Sequence, residues 1–183
     1  MGTLGKQRRT LICAPTNHTI RQVSTCVLNL AKSSPNVSVE GVILFGNREG
    51  LGIRGDVEEI FLENKVGALK KLQAFDFQEE NTITKICLER ASLVMCTTSH
   101  SYNLHNLQNE LFQFLVIDEA AQLKEAEFTI PLQLPGIMHV VLVGDECQLS
   151  AMVTSDMSAK WEFGRSLFVR LSLLGHPKKL LNV

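Results

Sequence analysis

Long hydrophobic runs are missing from this 183-residue chain. No apolar stretch approaches the roughly 20 residues that a helix needs to cross a bilayer, and no basic segment followed by an apolar core opens the chain as a secretory signal would. A soluble intracellular protein is expected, in the nucleus or cytoplasm, with no membrane partner. An excess of one charge is missing too: 18 Lys and Arg against 19 Asp and Glu leave a formal net charge of −1. That balance argues against a broad nucleic-acid clamp, because neutralising phosphates needs clustered cations. The small cluster Lys6, Arg8 and Arg9 reads as a solvated terminus in preference to a phosphate contact. The five cysteines (Cys13, Cys26, Cys87, Cys96, Cys147) show no C-x-x-C spacing, so zinc is not expected and buried reduced thiols are. The histidines form no H-E-x-x-H pair, and His100 and His105 are wrongly spaced for one helix face, which places them in a loop. Formal glycosylation acceptors at Asn17 and Asn36 are discounted without a secretory signal.

What is present suits one domain over residues 1–183, with 45% apolar residues to build a core. Strand signals at 10–14, 42–45, 93–96, 114–117 and 139–143 alternate with helical patterns near 18–31, 56–74, 79–90, 123–129 and 163–174. Such alternation predicts an α/β fold, a mostly parallel sheet with helices on both faces. In the last helical pattern Phe163, Leu167, Phe168, Leu171 and Leu174 recur at helical spacing, a stripe for core or domain-interface packing. Gly50-Leu51-Gly52-Ile53-Arg54-Gly55 has the letter of a dinucleotide fingerprint. Gly46 to Glu49 separate it from the preceding strand and no acidic strand end follows, so a flexible surface loop is the favoured reading.

The motif that stands out is Phe114-Leu115-Val116-Ile117-Asp118-Glu119-Ala120-Ala121-Gln122. A strand buried on both faces delivers two carboxylates at its C-terminal end, where ligands of open α/β sheets sit. One carboxylate is placed to hold Mg²⁺ on a nucleotide and the other to orient or deprotonate water; a plain acidic turn is the alternative. Three further strands end in polar turns: His139-Val140-Val141-Leu142-Val143-Gly144-Asp145-Glu146-Cys147-Gln148, Thr10-Leu11-Ile12-Cys13-Ala14-Pro15-Thr16-Asn17, with Asn17 as the expected helix cap, and Leu93-Val94-Met95-Cys96-Thr97-Thr98-Ser99.

Together these segments resemble superfamily 1 RNA/DNA helicases, specifically the senataxin-like group and its plant members. The flanking Ile130-Pro131-Leu132-Gln133-Leu134-Pro135 and Glu162-Phe163-Gly164-Arg165-Ser166-Leu167-Phe168 are similar to that group as well, and the likeness is weakest between residues 46 and 85. The resemblance implies a partial RecA-like (P-loop NTPase) domain with ATP and Mg²⁺ as cofactors and single-stranded RNA or DNA as track. It implies Asp118 as the Mg²⁺ ligand, Glu119 as the base that positions water, Gln148 as the phosphate sensor, and Asp145 as the residue fixing that loop. Pro15, Thr16, Asn17, Thr97 and Thr98 would line the single-strand path. For the threonines, ordinary strand-end capping is the alternative. Ser150 stands where the family usually has proline, which frees φ.

The family also needs a G-x-x-x-x-G-K-[ST] loop whose backbone N–H groups cradle phosphates, and no segment here matches it. Gly2-Thr3-Leu4-Gly5-Lys6-Gln7 is an echo only, with Gln7 at the hydroxyl position and no room for a helix before the next strand. The resemblance therefore implies a truncated domain, beginning after the P-loop helix and lacking the second RecA-like domain. Since the P-loop strand of the family lies inside its sheet, its loss is expected to remove ladder hydrogen bonds and uncover apolar faces, so that the chain is marginally stable, rearranges its sheet order or needs a partner. Two functions follow: a helicase-type ATPase motor domain, or a catalytically inactive truncated paralogue that binds nucleic acid or a helicase partner chain.

Overall fold

The computed structural model describes residues 8–34, 37–71, 80–106, 112–147, 153 and 155–181. Five short apolar segments form its strands: β1 (Thr10–Ala14), β2 (Val42–Leu44), β3 (Leu93–Thr97), β4 (Phe114–Ile117) and β5 (His139–Leu142). They join in the order β2-β3-β1-β4-β5, and every pairing is parallel. Each crossover carries helix or 3₁₀ turns: α1 (Asn17–Ser33), α2 (Arg48–Leu51), α3 (Leu62–Lys71), α4 (Glu80–Arg90) and α5 (Glu125–Leu132), with α6 (Asp156–Lys160) and α7 (Leu167–Leu173) after the last strand. Parallel neighbours need such crossovers, since a tight hairpin cannot return the chain to the same end of the sheet.

Strand alternation divides the core into two layers. Leu11, Cys13, Val94, Cys96, Leu115 and Ile117 point to one face, covered by α3, α4 and α5 through Val66, Ile83, Leu88 and Phe128. Ala14, Val42, Leu44 and Met95 point to the other, covered by Ile20 and Leu28 of α1 and by Leu51, Val57 and Ile60. The ladder runs from β2 to β5 without an internal gap, so the expected loss of ladder bonds leaves no break in mid-sheet among the described residues. Exposure concentrates on β5, where His139, Val140 and Val141 are open to solvent, and Met138 beside them is 73% exposed.

Several local expectations change. The 56–74 pattern is not one helix: a 3₁₀ turn covers Gly55–Ile60, and Phe61 then forms a parallel bridge to Leu44 before α3 starts. Phe61 is wholly buried, so its core anchorage overrides helical continuity. The glycine-rich 50–55 stretch is not a loose loop. Asn47 caps α2 by accepting from Gly50 N at 2.8 Å, and Gly52 ends it in the left-handed region with φ 58°. The 163–174 stripe splits as well. The Ser166 hydroxyl caps α7 by accepting from Val169 N at 3.1 Å; Leu167 and Phe168 pack on the core, while Phe163 and Leu174 are exposed. Cys26 and Cys147 are exposed thiols, not buried ones. His100 and His105 lie in a 3₁₀ turn, His100–Asn106, and not in an irregular loop.

Arg9 is the largest correction. It is 4% exposed, its Nε donates to Ala91 O at 2.8 Å, its guanidinium also donates to Leu88 O, and it stacks over Phe112 at 4.7 Å. A cation at the C-terminal end of α4 donates to Ala91 O, shares Leu88 O with the Ala91 N–H, and complements the helix dipole. Arg9 is therefore a core fastener and not part of a solvated tail.

Candidate functional site

At the C-terminal edge of the sheet, β4 hands directly to the two carboxylates. Asp118 N donates to Cys13 O at 2.9 Å, extending the ladder with β1 by one residue. Glu119 then takes a left-handed conformation, φ 51° and ψ 39°, which costs a side-chain-bearing residue roughly 1–3 kcal/mol. That turn reverses the chain into a 3₁₀ segment, Ala120–Gln122, closed by Gln122 N donating to Glu119 O at 2.9 Å. Asp118 and Glu119 are both half-buried, so they face the edge without being sealed from it. One oxygen of Glu119, Oε2, accepts from Gln122 Nε2 at 3.0 Å.

The end of β5 locks onto this turn. Val143 N donates to Ile117 O and Ala120 N donates to Val143 O, both at 2.8 Å. Gly144 follows, and a Cβ there would lie 3.0 Å from Ala121 N and 3.1 Å from Ala120 N. A Cβ there is tighter than ordinary contact by a few tenths of an ångström, so one segment would have to shift to admit it. Asp145 Oδ1 accepts from Cys147 N at 2.9 Å, which bends the loop back on itself. Next to it, the Lys178 ammonium and the Ser172 hydroxyl bond to Glu146, at 2.9 Å each, and hold its carboxyl below the usual carboxylate range. Gln148 and Ser150 lie outside the described residues.

On the other side of β4, the ends of β1 and β3 form the rest of the edge. Pro15 is half-buried, while Thr16 and Asn17 are exposed. The helix cap is Thr16, not Asn17: Thr16 Oγ1 accepts from Thr19 N at 3.1 Å, and Asn17 is the first helical residue. Thr98 is 2% exposed, and its hydroxyl donates to Ala14 O at 3.2 Å, stitching β3 to β1. Thr97 Oγ1 accepts from His100 N at 3.3 Å. Both threonine hydroxyls thus have architectural partners. Beside them the half-buried His100 ring packs edge-on against Phe45, centroids 4.6 Å apart, and burial lowers its pKa below the ordinary imidazole value.

The sheet order therefore sets Thr97 and Thr98, then Pro15 to Asn17, then Asp118 and Glu119, then Asp145 along one edge. The residues flanking the two motifs are in direct backbone contact, Val143 with Ile117 and Ala120, and Gly144 with Ala120 and Ala121. Two further features do not show in residue types alone: the Gln122 bond to Glu119, and the clearance at Gly144. The i, i+3 spacing of Glu119 and Gln122 is the one sequence signal for the first, since a single turn brings such residues together. No three-residue cluster of His, Cys, Asp or Glu suited to a metal occurs among the described residues. A Mg²⁺ ion fits all the same, since it characteristically takes one or two carboxylates and completes its shell with phosphate oxygens and water.

Comparison with known proteins gives concordant results. A family model described as an AAA domain matches residues 68–156, the stretch that contains β3, β4 and β5. The chain is 33% identical over 181 residues to the probable helicase MAGATAMA 3 of Arabidopsis thaliana, covering 94% of this chain and 22% of that protein. It is 30% identical over 186 residues to the ATP-dependent helicase NAM7 of Saccharomyces cerevisiae, covering 96% and 19%. With helicase sen1 of Schizosaccharomyces pombe it shares 35% identity over 122 residues, 62% and 7% of the two chains. The chain spans about a fifth of the length of the first two of these relatives.

Proposed function

This chain belongs to the superfamily 1 helicases, and from that premise we propose that it carries the Mg²⁺- and water-handling side of a helicase-type ATPase motor site. The observation that carries this reading is the joint between the Asp118–Glu119 turn and the Gly144–Asp145 loop, where Ala120 N meets Val143 O at 2.8 Å. A site that must sense phosphate and activate water needs those two groups held at fixed separation. Asp118 is the proposed ligand of the ion, which when bound would neutralise charge on the phosphates. Glu119 accepts a proton from the attacking water or orients it, Gln148 reads the terminal phosphate, and Asp145 shapes the loop that presents it. Single-stranded RNA or DNA is the proposed track, along the exposed Thr16 and Asn17 with Pro15, backed by Thr97 and Thr98. The contacts proposed there are hydrogen bonds from backbone groups and from the exposed Thr16 and Asn17 side chains.

A second reading rests on one sequence observation: none of the 183 residues forms a G-x-x-x-x-G-K-[ST] loop. Under it, the chain binds nucleic acid or a helicase partner without turnover. Thermal melts with and without Mg²⁺-ATP separate the two. The motor reading expects a melting temperature that rises with Mg²⁺-ATP, a rise that Asp118→Ala abolishes, and RNA-stimulated phosphate release that Glu119→Gln abolishes. A melt indifferent to nucleotide, with no phosphate release, refutes it in favour of the second.

A further inference from the structure

The Gln122 side chain does something that the turn around it does not require. The reversal after β4 is already closed by backbone bonds: Gln122 N to Glu119 O at 2.9 Å and Ala120 N to Val143 O at 2.8 Å. The side-chain bond from Gln122 Nε2 to Glu119 Oε2, at 3.0 Å, adds nothing to that closure. What it restrains is the carboxylate itself. An ionised carboxylate only accepts hydrogen bonds, so the amide must present its N–H₂ end. Glu119 makes no other side-chain bond among the described residues, and Oε1 has no partner among them.

We propose that Gln122 is a positioning residue that fixes the Glu119 carboxylate with one oxygen tied and the other free to take a proton from water. The proposal rests on the motor reading and names a residue which that reading leaves without a role. Glutamate has three side-chain torsions, and a carboxylate at a half-exposed turn samples many rotamers unless a partner selects one. The left-handed backbone at Glu119 sets where the side chain starts, and the amide three residues later sets where it ends. Misplacing a reacting group by about 1 Å costs on the order of 100-fold in rate, so the tether acts on turnover and not on nucleotide affinity.

Gln122→Met tests this, because methionine keeps the approximate length and packing of glutamine and removes the amide that donates to Glu119. In the full chain supplied with Mg²⁺-ATP and single-stranded RNA, the expected result is a kcat roughly 10- to 100-fold lower. KM for ATP should stay within about twofold and the melting temperature unchanged, as expected when an interaction acts only in the transition state. Proton and nitrogen NMR of the Gln122 side-chain amide supplies an independent readout, with one amide proton shifted downfield and returned to its free position in Glu119→Ala. Amide protons already at free positions overturn the proposal, and so does a change confined to KM. An unchanged kcat in Gln122→Met alongside lost turnover in Glu119→Gln overturns the proposal but leaves the motor reading standing. No turnover in the unaltered chain overturns that reading, and the positioning role with it.

Discussion

Gly144→Ala perturbs the joint between the two candidate motifs at its tightest point. The added Cβ would sit 3.0 Å from Ala121 N and 3.1 Å from Ala120 N, about 0.3–0.4 Å inside the 3.4 Å at which ordinary contact begins. Both neighbours are backbone atoms, so no rotamer change relieves the overlap, and the β5 loop or the Ala120 turn has to move. Forced overpacking of this kind costs roughly 1–3 kcal/mol. For a chain of this length that is a fall in melting temperature of roughly 2–12 °C, at about 2–4 °C per kcal/mol. The displacement also lengthens the Ala120 N to Val143 O bond, which is 2.8 Å in the unaltered protein. Amide exchange at Ala120 should accelerate more than exchange in β1, which is remote from the substitution. Gly67→Ala is the internal control. Gly67 lies within α3 and a Cβ there meets nothing within 4 Å. The same chemical change should therefore stabilise, by about 0.5–1 kcal/mol of helix propensity. A Gly144→Ala protein with unchanged melting and unchanged Ala120 exchange would refute the steric account.

Two other outcomes follow from buried polar groups. Arg9→Met removes the guanidinium bonds to the Ala91 and Leu88 carbonyls, of which Leu88 O keeps Ala91 N at 3.2 Å, and it removes the stack over Phe112, so denaturant titration should show a loss of about 1–4 kcal/mol. Arg9→Lys should recover little of it, since a point-charge ammonium does not reproduce the guanidinium fork; a loss under about 1 kcal/mol would return Arg9 to the surface. His100 should make the fold acid-sensitive. Burial lowers its pKa in the folded protein, so the unfolded chain binds the extra proton first as pH falls. Stability from this group is complete above about pH 6.5, the unfolded value. It is lost as pH drops through the lower folded value, and His100→Gln should flatten that part of a stability–pH curve.

Much of the architecture was readable from residue types because parallel strands buried on two faces leave nearly unbroken apolar runs. Leu93–Thr97 and Phe114–Ile117 are such runs, and each ends where polar residues interrupt it. The placement of Asp118-Glu119 and Gly144-Asp145 on one edge was legible for the same reason: each follows a strand, and strand ends of a parallel sheet converge on one edge. Less legible were features that depend on a partner distant in sequence. Phe61 broke an apparently continuous helical pattern because Leu44 lies beside it. Arg9 left the expected tail because the end of α4 lies over it. Thr16 displaced Asn17 as cap because of where β1 ends and α1 begins, a shift of one residue that periodicity does not resolve.

The sequence by itself determined the class of fold, the family and the edge on which carboxylates and hydroxyls gather, since those follow from hydrophobic spacing and from which residues end each strand. Tertiary structure alone decided which side chains on that edge are tied to local partners. It committed the hydroxyls of Thr97 and Thr98 to local partners, placed Glu119 in a left-handed turn with Gln122 on one oxygen, and pressed Gly144 against the backbone of Ala120 and Ala121. The physical reason is range. Strand and helix preferences act between neighbours along the chain, whereas hydrogen-bond commitment and steric clearance are settled between segments that meet only after the sheet has formed.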